Sequence, residues 1–144
     1  MSEGGQFTRL FSPLQVGGRT LRNRIALPAT LTNYGSGNRV TPRWINFLAE
    51  RAKGGAGMII TEILAVDPAA LAQGAIITAF DSANEDGFKA TAAEVEGHGA
   101  CLVGQLWHPG RQQLWSPISS PKGISDQPDA YSWTVPHVMS TDDM

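Results

Sequence analysis

Short runs of β-forming residues alternate along the chain with longer segments whose apolar positions recur every three or four residues. This alternation predicts a parallel α/β arrangement. Leu14–Val16, the Gly17-Gly18 pair and residues 20–21 read as a small hairpin ahead of the first unit. A first strand is predicted over 24–29, where Ile25, Ala26 and Leu27 stand in a row, and a Gly/Asn-rich loop over 33–38 follows it. Thr41-Pro42 has the form of a helix N-cap with proline at the first helical position, where its missing N–H costs nothing. Ile45, Leu48, Ala49 and Ala52 then share one helical face, and Gly54-Gly55 stops the helix.

The second strand is predicted over 57–61, a continuous apolar run of the kind buried on both faces of a parallel sheet. Ser82-Ala83-Asn84-Glu85 has the spacing of a capping box, and Phe88, Ala92, Val95 and Gly99 behind it line one helical face. A third strand is predicted over 101–106. The segment 107–139 contains five prolines and no clear periodicity, so a long loop is expected there. Ser140-Thr141-Asp142-Asp143 resembles the start of another helix, with aspartates where the positive end of the helix dipole favours them. No internal repeat is evident.

Composition narrows the function classes. The chain has 144 residues, room for one domain of ordinary size, and its 42% hydrophobic and 17% charged residues suit a globular protein rather than a disordered one. A net charge of -2 gives no support to a nucleic-acid groove or an anionic membrane surface. Cys101 is the single cysteine, so no internal disulfide framework exists. Residues 1–6 are polar and lack the apolar core of a signal peptide, and the apolar stretch 58–66 is interrupted by Glu62 and too short to span a bilayer. A cytoplasmic protein is expected.

Three strand–helix beginnings in a row suit either a doubly wound sheet or a (β/α)8 barrel, and in both the functional groups collect at the carboxyl ends of the strands. Those ends are Pro28, Ala29, Thr30 and Leu31 after the first strand, Glu62 and Ile63 after the second, and Gln105 with His108-Pro109-Gly110-Arg111 after the third. All three sets belong to one rim. The amide of Gln105 offers a donor and an acceptor together, which suits a ring edge alternating carbonyl and N–H groups.

At these residues a resemblance becomes specific. Leu10-Phe11-Ser12-Pro13-Leu14 and Leu21-Arg22-Asn23-Arg24-Ile25 look like the opening segment of the old yellow enzyme and NADH:flavin oxidoreductase family. The run from Arg51 through Gly54-Gly55-Ala56-Gly57 to Thr61-Glu62 is similar to the family's second-strand signature, and Gln105-Leu106-Trp107-His108-Pro109-Gly110-Arg111 to its third. They occur in the family's order and cover nearly the whole chain.

The resemblance implies an α/β fold in which residues 1–144 are the N-terminal fragment of one FMN-dependent TIM-barrel domain. That fragment holds about three of eight βα units behind the small hairpin. It implies FMN lying across the top of the barrel, flanked by Pro28, Ala29, Thr30 and Leu31, approached by Ile63, and hydrogen-bonded at its polar edge by Gln105. The implied reaction takes hydride from NAD(P)H and delivers it through flavin N5 to an electron-poor alkene, the cofactor supplying the redox chemistry and the protein positioning it. The family's flavin-tuning residue after the first strand falls on Leu31 in an ungapped match and on Thr30 in a match on proline. The family's substrate-anchoring pair, downstream arginine and phosphate loop come after Met144, so no catalytic residue is assigned, and an iron–sulfur cluster is not determined by this portion. A full barrel needs roughly 250 residues, and the isolated chain is expected to be incomplete as an enzyme.

Each candidate has a bland reading beside the functional one. Gln105 either contacts the flavin or caps neighbouring backbone. His108 either lines the substrate pocket or, like Arg111, clamps the rim loop. Glu62 is either a base or, as favoured here, a structural anchor accepting loop N–H groups. Gly54-Gly55-Ala56-Gly57 ends a helix and precedes a strand, the reverse of a phosphate loop. Cys101 reads as a core residue, and His98 and His137 lie too far from other ligand types to make a metal site. Trp115 and Trp133 are candidates to cover the site or a subunit contact. Two functions follow: an FMN-dependent NAD(P)H oxidoreductase acting on a small-molecule substrate, or a non-catalytic half-barrel module that self-associates or pairs with a complementary C-terminal half.

Overall fold

The chain organises around the apolar run at 58–65, which forms the middle strand of a parallel sheet. The structure, a computed structural model, describes residues 7–113, 115 and 120–143. The segment 1–6, read above for its lack of a signal-peptide core, and Pro117 of the long loop lie outside those residues. Ahead of the sheet, β1 (Leu14–Val16) pairs antiparallel with β2 (Arg19–Leu21), and Gly17 takes φ +53° in the turn between them. The sheet contains β3 (Ala26–Leu27), β4 (Met58–Ala65), β5 (Ile77–Thr78) and β6 (Cys101–Trp107). β6 pairs parallel with one edge of β4, while β3 and then β5 pair parallel with the other.

The first strand is shorter than the predicted 24–29 because its flanks are engaged elsewhere. Asn23 Oδ1 accepts the Ile25 N–H at 3.0 Å, Asn23 Nδ2 donates to the Gly55 carbonyl at 2.7 Å, and Pro28 has no N–H to give a ladder. This places Asn23 hard against Gly57, where a Cβ would come within 2.6 Å of Asn23 Oδ1. Only glycine fits there. β4 and β6 run past their predicted ends at 61 and 106, to Ala65 and Trp107.

α1 (Pro42–Lys53) begins as predicted, with Thr41 Oγ1 accepting the Trp44 N–H at 3.2 Å. Leu48, Ala49 and Ala52 of the expected face are buried, but Trp44 takes the deepest place and Ile45 is only half-buried. The indole stands edge-on to Phe88, 6.5 Å between centroids, and fills the space between α1 and α2 (Glu85–Gly97). At the C-terminus of α1 it is Gly55, with φ +106°, that carries the left-handed turn.

The capping box expected at 82–85 does not form. Asp81 instead caps a short 3-10 turn over Ser82–Asn84, accepting the Ala83 N–H at 2.9 Å. Asn84 turns inward and is 1% exposed. There its Oδ1 accepts the Val40 N–H, and its Nδ2 donates to the Asn38 carbonyl and to Thr78 O and Oγ1. One amide thus satisfies backbone of two segments, the loop at 38–40 and β5, a stronger use than a surface cap. Gly99, expected on the α2 face, lies beyond the helix, and Thr91 is buried with Val95.

Arg22 ties the helix layer to the hairpin. Its guanidinium donates to the carbonyls of Ala52, Ala56 and His98, at 2.6, 2.8 and 2.7 Å, placing positive charge at the C-terminal ends of α1 and α2. Between helices and sheet lies the main core of Trp44, Leu48, Ala52, Ile59, Leu64, Ile77 and Val95. A smaller cluster, Ala65, Ala70 and Ile76 with Ile63, Leu71 and Trp107 against it, lies at the carboxyl end of β4.

The long segment 107–139 has more structure than its sequence suggests. β7 (Lys122–Gly123) and β8 (His137–Val138) form a short parallel pair, and Gly110–Gln112 and Thr141–Asp143 are 3-10 turns. The helix start expected at 140–143 is therefore a single turn, in which Asp143 accepts the Ser140 N–H and hydroxyl at 2.7 and 2.8 Å. Lys122 Nζ donates to Asp67 Oδ2 at 2.8 Å and joins β7 to the segment after β4. This contact leads the causes that hold the Asp67 carboxyl below its ordinary range, and the same bond holds the Lys122 ammonium above its own. No described helix is long and apolar enough to cross a membrane.

Trp44→Ala is expected to lower stability by about 3–5 kcal/mol in urea denaturation, with Trp44→Phe costing much less because the ring contact with Phe88 survives. For the Asp67–Lys122 pair the sign follows from a depressed carboxyl. Its contribution, about 1 kcal/mol for a half-buried pair, is full above the ordinary aspartate pKa and is lost as pH falls through the folded value. Stability measured against pH should show this loss in the wild type and not in Asp67→Asn.

Candidate functional site at the carboxyl ends of the strands

β4 does not pair evenly with β6. Ile60 lies opposite Val103 and Ile63 opposite Gln105, so Thr61 and Glu62 together face the single residue Gly104. This is a β-bulge, and it re-aims the side chains on either side of it. The Thr61 hydroxyl fills the gap in the ladder, accepting the Gln105 N–H at 3.0 Å and donating to the Glu62 carbonyl at 2.8 Å. Thr61 is 2% exposed, and its hydroxyl bonds one backbone group on each strand at the bulge.

The pleat assigns faces. Ile59 and Leu102, register partners, pack among the helices, so Met58, Ile60, Val103 and Gln105 face the opposite, uncovered side. Gln105 is exposed on that side beside Ile63, which is half-buried against the cluster that includes Trp107. Val103 and Leu106 of β6 are 37% and 69% exposed, and the outer edge of β6 pairs with no other described strand.

Glu62 turns from the bulge to the segment after β3. Its carboxylate accepts the N–H of Thr32, the N–H of Asn33 at 3.3 Å and the Thr32 hydroxyl at 2.9 Å, all while 4% exposed. Each of these bonds is to the loop, so the side chain holds Thr32 and Asn33 against the strand. This corresponds to the anchor reading of Glu62. Immediately before that tether, Pro28, Ala29, Thr30 and Leu31 are all exposed. Thr30 Oγ1 donates to the Pro28 carbonyl at 3.2 Å, and the Leu31 side chain stands free at 54% exposure.

His108 is drawn into a different environment. Its Nδ1 accepts the Gly110 N–H at 2.9 Å, which leaves Nε2 to carry the proton of the neutral ring, and that atom is buried. The imidazole joins Val66, Asp67, Met139 and Asp143 around a cavity of about 250 Å³. Pro28, Ala29, Thr30, Leu31, Ile63 and Gln105 do not line that cavity. A neighbouring cavity of about 450 Å³ is lined by Arg111, Ile124, Met139 and the turn at 109–112. The positive charge of Arg111 contributes to lowering the Asp129 carboxyl, after the larger effects of the Ser132 and Tyr131 N–H groups donating to it.

Of the two loop tryptophans, Trp115 stacks on Trp107 with centroids 6.1 Å apart and donates from Nε1 to the Ala69 carbonyl. Trp133 is 78% exposed with φ +57°. Cys101 is half-buried at the amino end of β6, opposite to the rim. His98 follows α2 and supplies its carbonyl to Arg22, while His137 Nε2 stands 3.7 Å from Asp143 Oδ2. Thr61 and Thr32 were not among the residues singled out from sequence. A threonine beside a lone carboxylate in an otherwise apolar strand was the available signal.

Comparison with known proteins agrees with this architecture. A "Metal reductase" of Desulforamulus reducens is 36% identical over 102 residues, covering 71% of this chain and 15% of that protein. A "NADH oxidase" of Thermoanaerobacter brockii is 35% identical over 111 residues, covering 74% of this chain and 17% of that protein. The chain thus spans less than a fifth of the length of these relatives. Among solved structures, morphinone reductase in complex with tetrahydroNAD superposes with a TM-score of 0.80 at 25% identity, over 93% of this chain and 41% of that one. Residues 9–144 match the profile of the NADH:flavin oxidoreductase / NADH oxidase family, and the chain belongs to that family.

Proposed function

We propose that the chain is the first part of a flavin-dependent (β/α)8 barrel, with residues 1–144 forming the N-terminal portion of a single FMN-binding domain. The enzyme it belongs to would use NAD(P)H to reduce small molecules bearing activated alkenes. The observation that carries this reading is the pairing of Ile63 with Gln105 across the β4 bulge. It sets an exposed amide beside an apolar side chain at the carboxyl ends of three parallel strands.

The residues present fit a flat, amphipathic ring. Gln105 presents donor and acceptor together, as the polar edge of a flavin needs. Ile63 offers apolar contact, and the exposed run Pro28, Ala29, Thr30 and Leu31 offers backbone and small side chains on a segment that Glu62 holds in place. FMN, when bound, supplies the hydride chemistry between the nicotinamide and the alkene. The protein's part would be to hold the ring: Gln105 would bond its polar edge, Ile63 would exclude water from it, and the loop tethered by Glu62 would offer it backbone and small side chains. His108 would stand at the margin of the substrate pocket, with its Gly110 contact fixing the ring's orientation.

A second reading, a half-barrel that pairs with another copy or with a complementary C-terminal half, draws on the exposed Val103 and Leu106 along the free edge of β6. Edges of this kind recruit a further strand. Under the flavin reading the same edge belongs to the next strand of the barrel.

Titrating the purified protein with FMN, followed by flavin fluorescence, should give a dissociation constant on the order of micromolar, weakened about tenfold by Gln105→Ala. A folded protein that leaves FMN fluorescence unchanged would count against the flavin reading. A defined dimer without flavin binding would favour the second.

A further inference from the structure

We propose that Thr61 is the positioning residue for Gln105, setting the polar contact to the flavin through the β4 bulge. The inference rests on the flavin reading and adds to it a residue that touches no ligand.

In an even parallel ladder the Gln105 N–H would bond to a carbonyl of β4. At the bulge in β4 the Gln105 N–H also meets a side chain, donating to Thr61 Oγ1 at 3.0 Å. The same hydroxyl gives its proton to the Glu62 carbonyl at 2.8 Å, so one side chain bonds a backbone donor of β6 and a backbone acceptor of β4 at the bulge. Thr61 is 2% exposed, so its side chain is held among its neighbours at the bulge. Register decides which face a strand residue presents, and a slip of one residue reverses it. The hydroxyl therefore holds Gln105 on the uncovered face, level with Ile63, while keeping Glu62 turned to Thr32 and Asn33. A valine of the same shape would fill the space and remove both hydroxyl bonds. A serine would keep both bonds.

The test is a double-mutant cycle on FMN affinity, together with amide hydrogen exchange at Gln105 in the flavin-free protein. Thr61→Val is expected to speed exchange at the Gln105 amide by at least about tenfold. It should also weaken FMN about tenfold in the wild-type background, but by less than about twofold in a Gln105→Ala background, because the two act through one contact. Thr61→Ser should match the wild type in both measurements. If Thr61→Val does not fold, Thr61→Ala against Thr61→Ser makes the same comparison. Equal losses of affinity in the two backgrounds would overturn the positioning role and leave the flavin reading standing, as would unchanged affinity in Thr61→Val. Wild-type protein that binds no FMN would overturn both.

Discussion

A buried carboxylate surrounded by donors from a single loop is the constraint on which the rim depends. Glu62 is 4% exposed in the middle of the sheet, where an ionised carboxylate is costly unless its oxygens are hydrogen-bonded. The Thr32 N–H and hydroxyl and the Asn33 N–H meet that need. Strand and loop are thereby made conditional on each other: the loop is held because the charge needs its donors, and the charge is tolerated because the loop supplies them. The bulge is what turns Glu62 toward the loop, and Thr61 is what makes the bulge affordable to the ladder. Two adjacent side chains in β4 so tie its carboxyl end to β6 and to the loop after β3.

Below the rim the chain is secured by polar groups aimed at backbone. Arg22 gathers three carbonyls from the ends of α1 and α2, and Asn23 links the start of β3 to the turn before β4. Asn84 does the same at the other end, joining the loop after β3, β5 and the start of α2. Apolar packing around Trp44 supplies the bulk of the core. These amides and the guanidinium fix how its elements are set against one another.

What was legible in the sequence was what is local. Thr41-Pro42, the α1 face and the glycine stop are determined within a few residues, and they appear in the structure nearly as read. Trp44 was missed because its neighbour Ile45 completes the helical spacing, whereas the space between two helices selects the larger ring. β4 seemed to end at Thr61 because a carboxylate follows, and nothing nearby in sequence shows that its donors come from Thr32 and Asn33, some thirty residues away. Asn84 and the β7–β8 pair were hidden for the same reason. At the rim, strand-end reasoning found Gln105 and Ile63, which the register pairs. His108, read from the same strand end, lines a cavity with Asp67 and Asp143, residues that no local pattern joins to it.

If the bulge in β4 and the loop anchored to it form one side of a flavin site, a crystal structure of the protein grown with FMN will show it. The ring's polar edge is expected within hydrogen-bond distance of the Gln105 side chain, with Ile63 and the segment from Pro28 to Leu31 against it and the Thr61 hydroxyl still on the Gln105 N–H. Flavin bound elsewhere on the protein, or Gln105 turned away from a ring that occupies the rim, would contradict it.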